Sequence, residues 1–222
     1  MIDPRTFANL VDESLLLRSG SVFYSGQRAL SHPTPLYILG LNPGGCPSDK
    51  PEETIGRNLK NWPNLPQDWS AYQDDSWEGR KAGTYGMQPR VVHLIRKLGM
   101  DPQRVPASNV VFVRTRNEVS LAAEKQSLLK ACWPVHEAVI ERLGISTVLC
   151  FGGTAGWWVR EALAAHDLVE TWAEQNQRRW KATAHRNISG LCVVTAPHPS
   201  RANWCNPKSD PTSLVSDMLS RS

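Results

Sequence analysis

Apolar residues in this chain recur in two rhythms. Phe7, Leu10, Val11 and Leu15 follow helical spacing after Asp3-Pro4, predicting an opening helix that runs toward Gly20. Four unbroken apolar runs, at residues 36–39, 110–113, 147–151 and 191–195, are too short for helices and predict buried strands. Helical spacing returns between and after them. Val91, Leu94, Ile95 and Leu98 mark a helix ended by Gly99, and Leu128, Cys132, Val135, Val139 and Leu143 mark another, with an interruption expected near Pro134. A further helix follows Gly152-Gly153, and Leu214, Val215 and Met218 close the chain on a last one. Residues 46–86 are rich in Pro, Asn, Asp and Trp, with only a short helix expected at 52–59. Strands alternating with helices predict a single α/β domain over residues 1–222, its mainly parallel sheet covered on both faces. In such a sheet, ligands bind beyond the carboxyl ends of the strands.

Composition narrows the class. The chain has 222 residues, 41% hydrophobic and 21% charged, which fits a globular chain and excludes disordered or collagen-like ones. No apolar run approaches the length of a membrane span. Met1-Ile2-Asp3-Pro4 opens straight into an amphipathic pattern, so a cytoplasmic protein is expected, or a nuclear one where the cell has a nucleus, with no membrane partner. The 25 basic residues outnumber the 21 acidic ones, and 17 of the 25 are Arg. Guanidinium forks match phosphates well, which leans toward a polyanionic partner. The nine Trp residues serve either as rigid packing for irregular loops or as platforms on which bases stack. The five cysteines are spread without a C-x-x-C pair, so no metal centre is expected, and Cys150 and Cys192 read as core thiols.

Two loops carry the chemistry. Gly40-Leu41-Asn42-Pro43-Gly44-Gly45 leaves the first strand at its carboxyl end. It reads as a plain turn or as a loop whose glycines let backbone approach a ligand, with the Asn42 amide able to hold a water. Ala196-Pro197-His198-Pro199-Ser200-Arg201-Ala202-Asn203-Trp204 leaves the fourth strand in the same way. His198 is clamped between prolines and can donate to developing negative charge. Ser200, Arg201 and Asn203 add donors suited to a phosphate backbone.

Strand-Gly-x-Asn-Pro-Gly followed by strand-x-x-His-Pro-Ser resembles the two signature motifs of the uracil-DNA glycosylase superfamily. Asn42 in the first with His198 in the second is most similar to the branch that contains the single-strand-selective monofunctional uracil-DNA glycosylases. The mismatch-specific branch shares the Asn-Pro-Gly loop but usually lacks the histidine. Cys132-Trp133-Pro134 is similar to a C-x-P in the helix before strand three, and Val148-Leu149-Cys150-Phe151-Gly152 to that strand and its glycine. The resemblance runs in order through residues 34–220 and is tight only at the two loops. This chain has Arg201 where family second motifs often continue with Pro, and it lacks the cysteine pattern of the iron–sulfur members. The resemblance implies a three-layer α/β/α fold with a central four-stranded parallel sheet.

It also implies a reaction without a cofactor. His198 would face the oxygen of the leaving base and Asn42 would position the attacking water. Backbone around Leu41, Gly44 and Gly45 would hold the base's other carbonyl. The family reads the pyrimidine edge with an Asn after strand two, for which Asn117 is the candidate, its alternative being a helix cap. Tyr85 is the candidate stacking ring, with Trp62 and Trp77 as rivals. Arg201, Asn203 and Trp204, in the stretch 201–204, lie where family members wedge into the vacated stack, and Ser200 stands beside them as a DNA-binding donor. The Arg178-to-Arg186 stretch either tracks a DNA backbone or forms a solvated hairpin. Gly152-Gly153-Thr154-Ala155-Gly156 lacks the lysine and spacing of a nucleotide loop and reads as a tight turn. The expected partner is single- or double-stranded DNA containing uracil or a 5-substituted uracil. The alternatives are a DNA-binding member of the same fold without catalysis, and an enzyme of free nucleosides or nucleotides.

Overall fold

A computed structural model describes residues 2–221. In chain order its elements are α1 (Arg5–Ala8), β1 (Leu36–Gly40), α2 (Ile55–Asn61), α3 (Gln88–Lys97), β2 (Ala107–Asn109), α4 (Glu118–Leu121) and α5 (Lys125–Leu143). There follow β3 (Thr147–Phe151), α6 (Gly153–Ala162), β4 (Asp167–Ala173), β5 (Lys181–Arg186), β6 (Cys192–Ala196) and α7 (Thr212–Ser220). The strands form one sheet in the order β2-β1-β3-β6-β5-β4.

The sheet is therefore six-stranded rather than four-stranded. β2, β1, β3 and β6 run parallel, and β5 and β4 extend them antiparallel beyond β6. Burial along β1, β3 and β6 is near-continuous, which is why their sequences read as unbroken apolar runs. β4 is exposed along much of its length and carries Glu170 between Val169 and Thr171, so no such run announces it.

Side chains alternate between two cores. Tyr37, Leu39, Val148, Cys150 and Val193 face α1, α5 and α6, while Leu36, Ile38, Leu149, Phe151 and Val194 face α3 and α7. Gly156 lets α6 approach β6 closely, because a Cβ there would collide with Thr195. Burial pushes the Cys150 and Cys192 thiols up, and both are core residues.

Three local expectations need correction. The opening helix is a single turn, and Asp12 then caps a separate short turn through Ser14 N–H at 2.9 Å. α5 runs unbroken through Pro134, whose exposed position leaves the carbonyl it cannot bond open to water. The second strand is Ala107–Asn109 rather than residues 110–113. Val110 and Val111 continue the bonds to Gly40 and Leu41, but the chain then veers off to meet residues 19–21 in antiparallel bridges.

Candidate functional site

The carboxyl ends of β1, β2, β3 and β6 converge on one edge. Gly40 pairs with Asn109, and Phe151 pairs with Ala196. β1 and β6 flank β3, so their ends lie about two strand spacings, roughly 10 Å, apart.

Asn42 stands at the first of these ends, half-buried. Its Nδ2 donates to Thr115 Oγ1 at 2.9 Å, to Pro43 O at 3.1 Å and to Val113 O at 3.3 Å. The amide donors are thereby taken by Val113 and Thr115 of the segment that leaves β2 and by the loop's own Pro43, and Oδ1 accepts from no protein group among the described residues. The same segment holds the loop backbone. Arg114 donates to Gly44 O at 2.6 Å and pairs with Glu53 at 2.6 Å, while Thr115 N–H reaches Pro43 O. Gly45 has φ +102°, a conformation that favours glycine. Gly44 has no such constraint, and a Cβ there would meet nothing within 4 Å. Leu41 packs against the core beneath.

His198 stands at the end of β6, half-buried, with its ring edge-on to Phe151 at 6.0 Å between centroids. Gly152, at φ +88°, carries the chain past it with space for a Cβ at 3.7 Å from the His198 Cβ, the tight turn expected of that glycine. Ser200 N–H donates to His198 Nδ1 at 3.1 Å. A nitrogen that accepts from a backbone amide carries no proton, so the neutral ring bears its proton on Nε2. Burial lowers the His198 pKa and the Arg201 charge lowers it further, so the ring is neutral at pH 7.

Aromatic rings floor the edge between these two residues. Phe151 meets Tyr72 at 6.2 Å, and Tyr72 meets Tyr24 at 6.0 Å and Trp77 at 5.9 Å. Burial raises the hydroxyl pKa of both tyrosines, which stay protonated donors. Asn109, buried at the end of β2, directs its amide toward the Tyr24 hydroxyl and lies against Gly40, where a Cβ would collide with its Oδ1.

Several expected site residues lie elsewhere. Asn117 caps α4, its Oδ1 taken by Ser120 N–H and Oγ at 2.9 Å each, so Asn109 rather than Asn117 is the asparagine that ends strand two. Sequence reasoning passed over Asn109 because it precedes the apolar run mistaken for the strand. Trp204 is fully buried, edge-on to Phe151 at 5.4 Å, and donates from Nε1 to Pro197 O at 3.1 Å. It props the histidine loop from beneath and cannot enter a base stack. Trp62 is likewise core, bonded to Ser25 O. Tyr85 is 41% exposed beside α3 and takes no part in the ring cluster, whereas Trp77, named as its rival, does. Ser200, Arg201 and Asn203 are all exposed on the turn after His198. Among the described residues no group of His, Cys, Asp and Glu could hold a metal ion. No helix of these residues is long and apolar enough to cross a membrane.

The hairpin of β4 and β5 bends onto this turn. Arg178 donates to Arg201 O at 2.8 Å, pairs with buried Glu174 at 3.0 Å and lies 4.2 Å over the Trp180 ring. Gln175 N–H reaches Lys208 O at 2.7 Å. Arg178 is thus a brace, and Arg186, at the far end of β5, bonds Arg221 O at the opposite edge of the sheet. No protein-family model matches the chain, and no curated protein matches it.

Proposed function

We propose that the chain is a monofunctional DNA glycosylase that hydrolyses the N-glycosidic bond of uracil or a related base in DNA. One observation carries the reading. At one sheet edge an asparagine offers only its acceptor oxygen and a neutral histidine offers only its Nε2 proton, the two complements that N-glycoside hydrolysis needs.

Departure of the base leaves an oxocarbenium-like sugar and negative charge on the base oxygens. A neutral imidazole donating through Nε2 stabilises that charge without moving a proton, because Nδ1 is engaged by Ser200. Asn42 Oδ1 accepts from a water and aims its lone pair at the sugar. An amide is no strong base, so bond breaking precedes attack. The half-buried Tyr24 and Trp77 rings, backed by buried Tyr72, offer faces for the base, and Asn109, turned toward Tyr24, offers the amide that reads its edge. The three-layer architecture with a parallel four-strand centre, shared with the glycosylase superfamily that the motifs resemble, is consistent with this reading. The β4–β5 hairpin is an addition to it.

Extruding a base from a duplex costs a few kcal/mol and less from a single strand. The direct test is therefore incubation with both kinds of uracil oligonucleotide, followed by alkali. A nick at uracil that disappears in Asn42→Ala and His198→Ala supports the proposal. A shifted band without a nick points to DNA binding alone, and hydrolysis of deoxyuridine with no action on DNA points to a nucleoside enzyme.

A further inference from the structure

In the Arg178-to-Arg186 stretch Arg178 is spent on Glu174 and Arg201 O and Arg186 lies at the other edge, which leaves exposed Arg179 and Lys181 as its available cations. Further positive charge lies on the other side of the histidine loop. A depression of about 530 Å³ adjoins the histidine loop on its α3 side. It is contiguous with that loop, since the Arg90 guanidinium bonds Pro199 O and the Cys205 thiol reaches Pro89 O at 3.6 Å. Pro89 and Val92 make an apolar floor, and Arg96 and Lys97 stand on the rim. Gly83, on the opposite side, belongs to the loop that carries Arg80 and Lys81.

The charges on this rim differ in availability. Lys97 pairs with Asp210 at 2.7 Å, and His93 shares the same carboxylate at 3.2 Å. Burial works to raise the Asp210 carboxyl, but the bonds from Lys97, Thr212 and His93 outweigh it and hold the acid ionised. Arg96 is exposed and meets only the neutral Gln73 amide, at 2.9 Å. Arg80, Lys81 and Arg201 have no hydrogen-bond or ion-pair partner on their side chains among the described residues. The result is a rim on which the Arg96 guanidinium has no acidic partner, over an apolar floor, with no amide side chain in the lining to read a base edge.

The geometry points to a subsite for the DNA strand itself: a phosphodiester flanking the extruded nucleotide sits against Arg96, with its deoxyribose over Pro89 and Val92. This rests on the glycosylase reading and gives the strand a path, from Arg201 across the histidine loop and into the α3 depression. A backbone phosphate is bound there without regard to sequence.

The test uses a single-stranded oligonucleotide with one uracil. Arg96→Gln should reduce the slope of log affinity against log salt by about 1, the share of one phosphate contact. Lys130→Gln on α5 should bind and cleave as wild type. Exposed Cys205 lines the depression, so saturating oligonucleotide should slow its alkylation by N-ethylmaleimide, read by peptide mass. An unchanged slope with Cys205 unprotected, in a protein that still nicks uracil, would overturn the subsite and leave the glycosylase reading intact. Protection by deoxyuridine monophosphate but not by the oligonucleotide would overturn the strand path. Absence of oligonucleotide binding by the wild type would overturn both readings.

Discussion

The Ser200 backbone N–H and the His198 Nδ1 lie 3.1 Å apart, and that bond fixes which end of the imidazole carries its proton. The Ser200 hydroxyl sits 2.8 Å from the same nitrogen and reinforces the arrangement. In a 15N-resolved imidazole spectrum at pH 7, His198 should show an unprotonated Nδ1 and a protonated Nε2. Because burial and Arg201 lower its pKa, protonation should set in only below the usual histidine value of about 6.5. His198→Ala should slow single-turnover cleavage by about 10²-fold or more, the scale of losing one transition-state donor, with DNA affinity nearly unchanged. A wild-type rate in that variant would remove His198 from the chemistry.

Gly44 leaves the first loop open. A Cβ there meets nothing within 4 Å and needs no unusual backbone. In the superfamily that the motifs resemble, members that exclude thymine carry a tyrosine at the matching position, so under the proposed reading exclusion here should be weak. Uracil and 5-hydroxymethyluracil should be cut within about tenfold of each other, or about 1.4 kcal/mol, and cytosine spared. Gly44→Tyr should fold normally and narrow the spectrum. Matched single-turnover rates decide this, and an unchanged spectrum would mean that Gly44 does not face the base.

Gly40 and Asn109 test the floor of the edge. A methyl on Gly40 collides with Asn109 Oδ1, so Gly40→Ala should displace the Asn109 amide and destabilise by about 1–3 kcal/mol, as overpacking does. Adding Asn109→Ala should relieve the collision and recover stability without recovering cleavage. Urea unfolding of the two single variants and the double variant forms the cycle. Recovery of cleavage in the double variant would show that Asn109 does no more than fill space.

His136 gives the fold a pH-dependent weakness. It is buried, bonded by the Tyr37 hydroxyl at 2.9 Å and close to Val110 O at 3.2 Å, and burial pushes its pKa down to about 4. The unfolded chain therefore binds this proton first. The His136 contribution is complete above pH 6.5 and drains away as pH falls toward 4, by about 1.4 kcal/mol per unit. Urea unfolding at pH 7.5 and 5.5 should show this loss, and it should shrink in His136→Asn. An equal loss in that variant would assign the slope to other groups.

The sequence was most legible where one residue type has one physical use. Unbroken apolar runs marked β1, β3 and β6, and Gly40-to-Gly45 and Pro197-to-Ser200 lie at strand ends where expected. It was least legible where burial decides. Trp204 lies where the resemblance implies a wedge into the base stack, yet it is sealed beneath the loop. Asn109 ends a strand of only three residues whose apolar continuation leaves the ladder, so no periodicity could mark it. Asn117 answered to two descriptions, and the capping one is what the backbone of Ser120 selects.

The tether from Arg178 to Arg201 O and from Gln175 to Lys208 O makes residues 174–208 one mechanical unit. Shortening the hairpin would not trim an appendage; it would release the turn that presents Ser200 to His198. Any transplant of the histidine loop into another scaffold has to carry the hairpin with it.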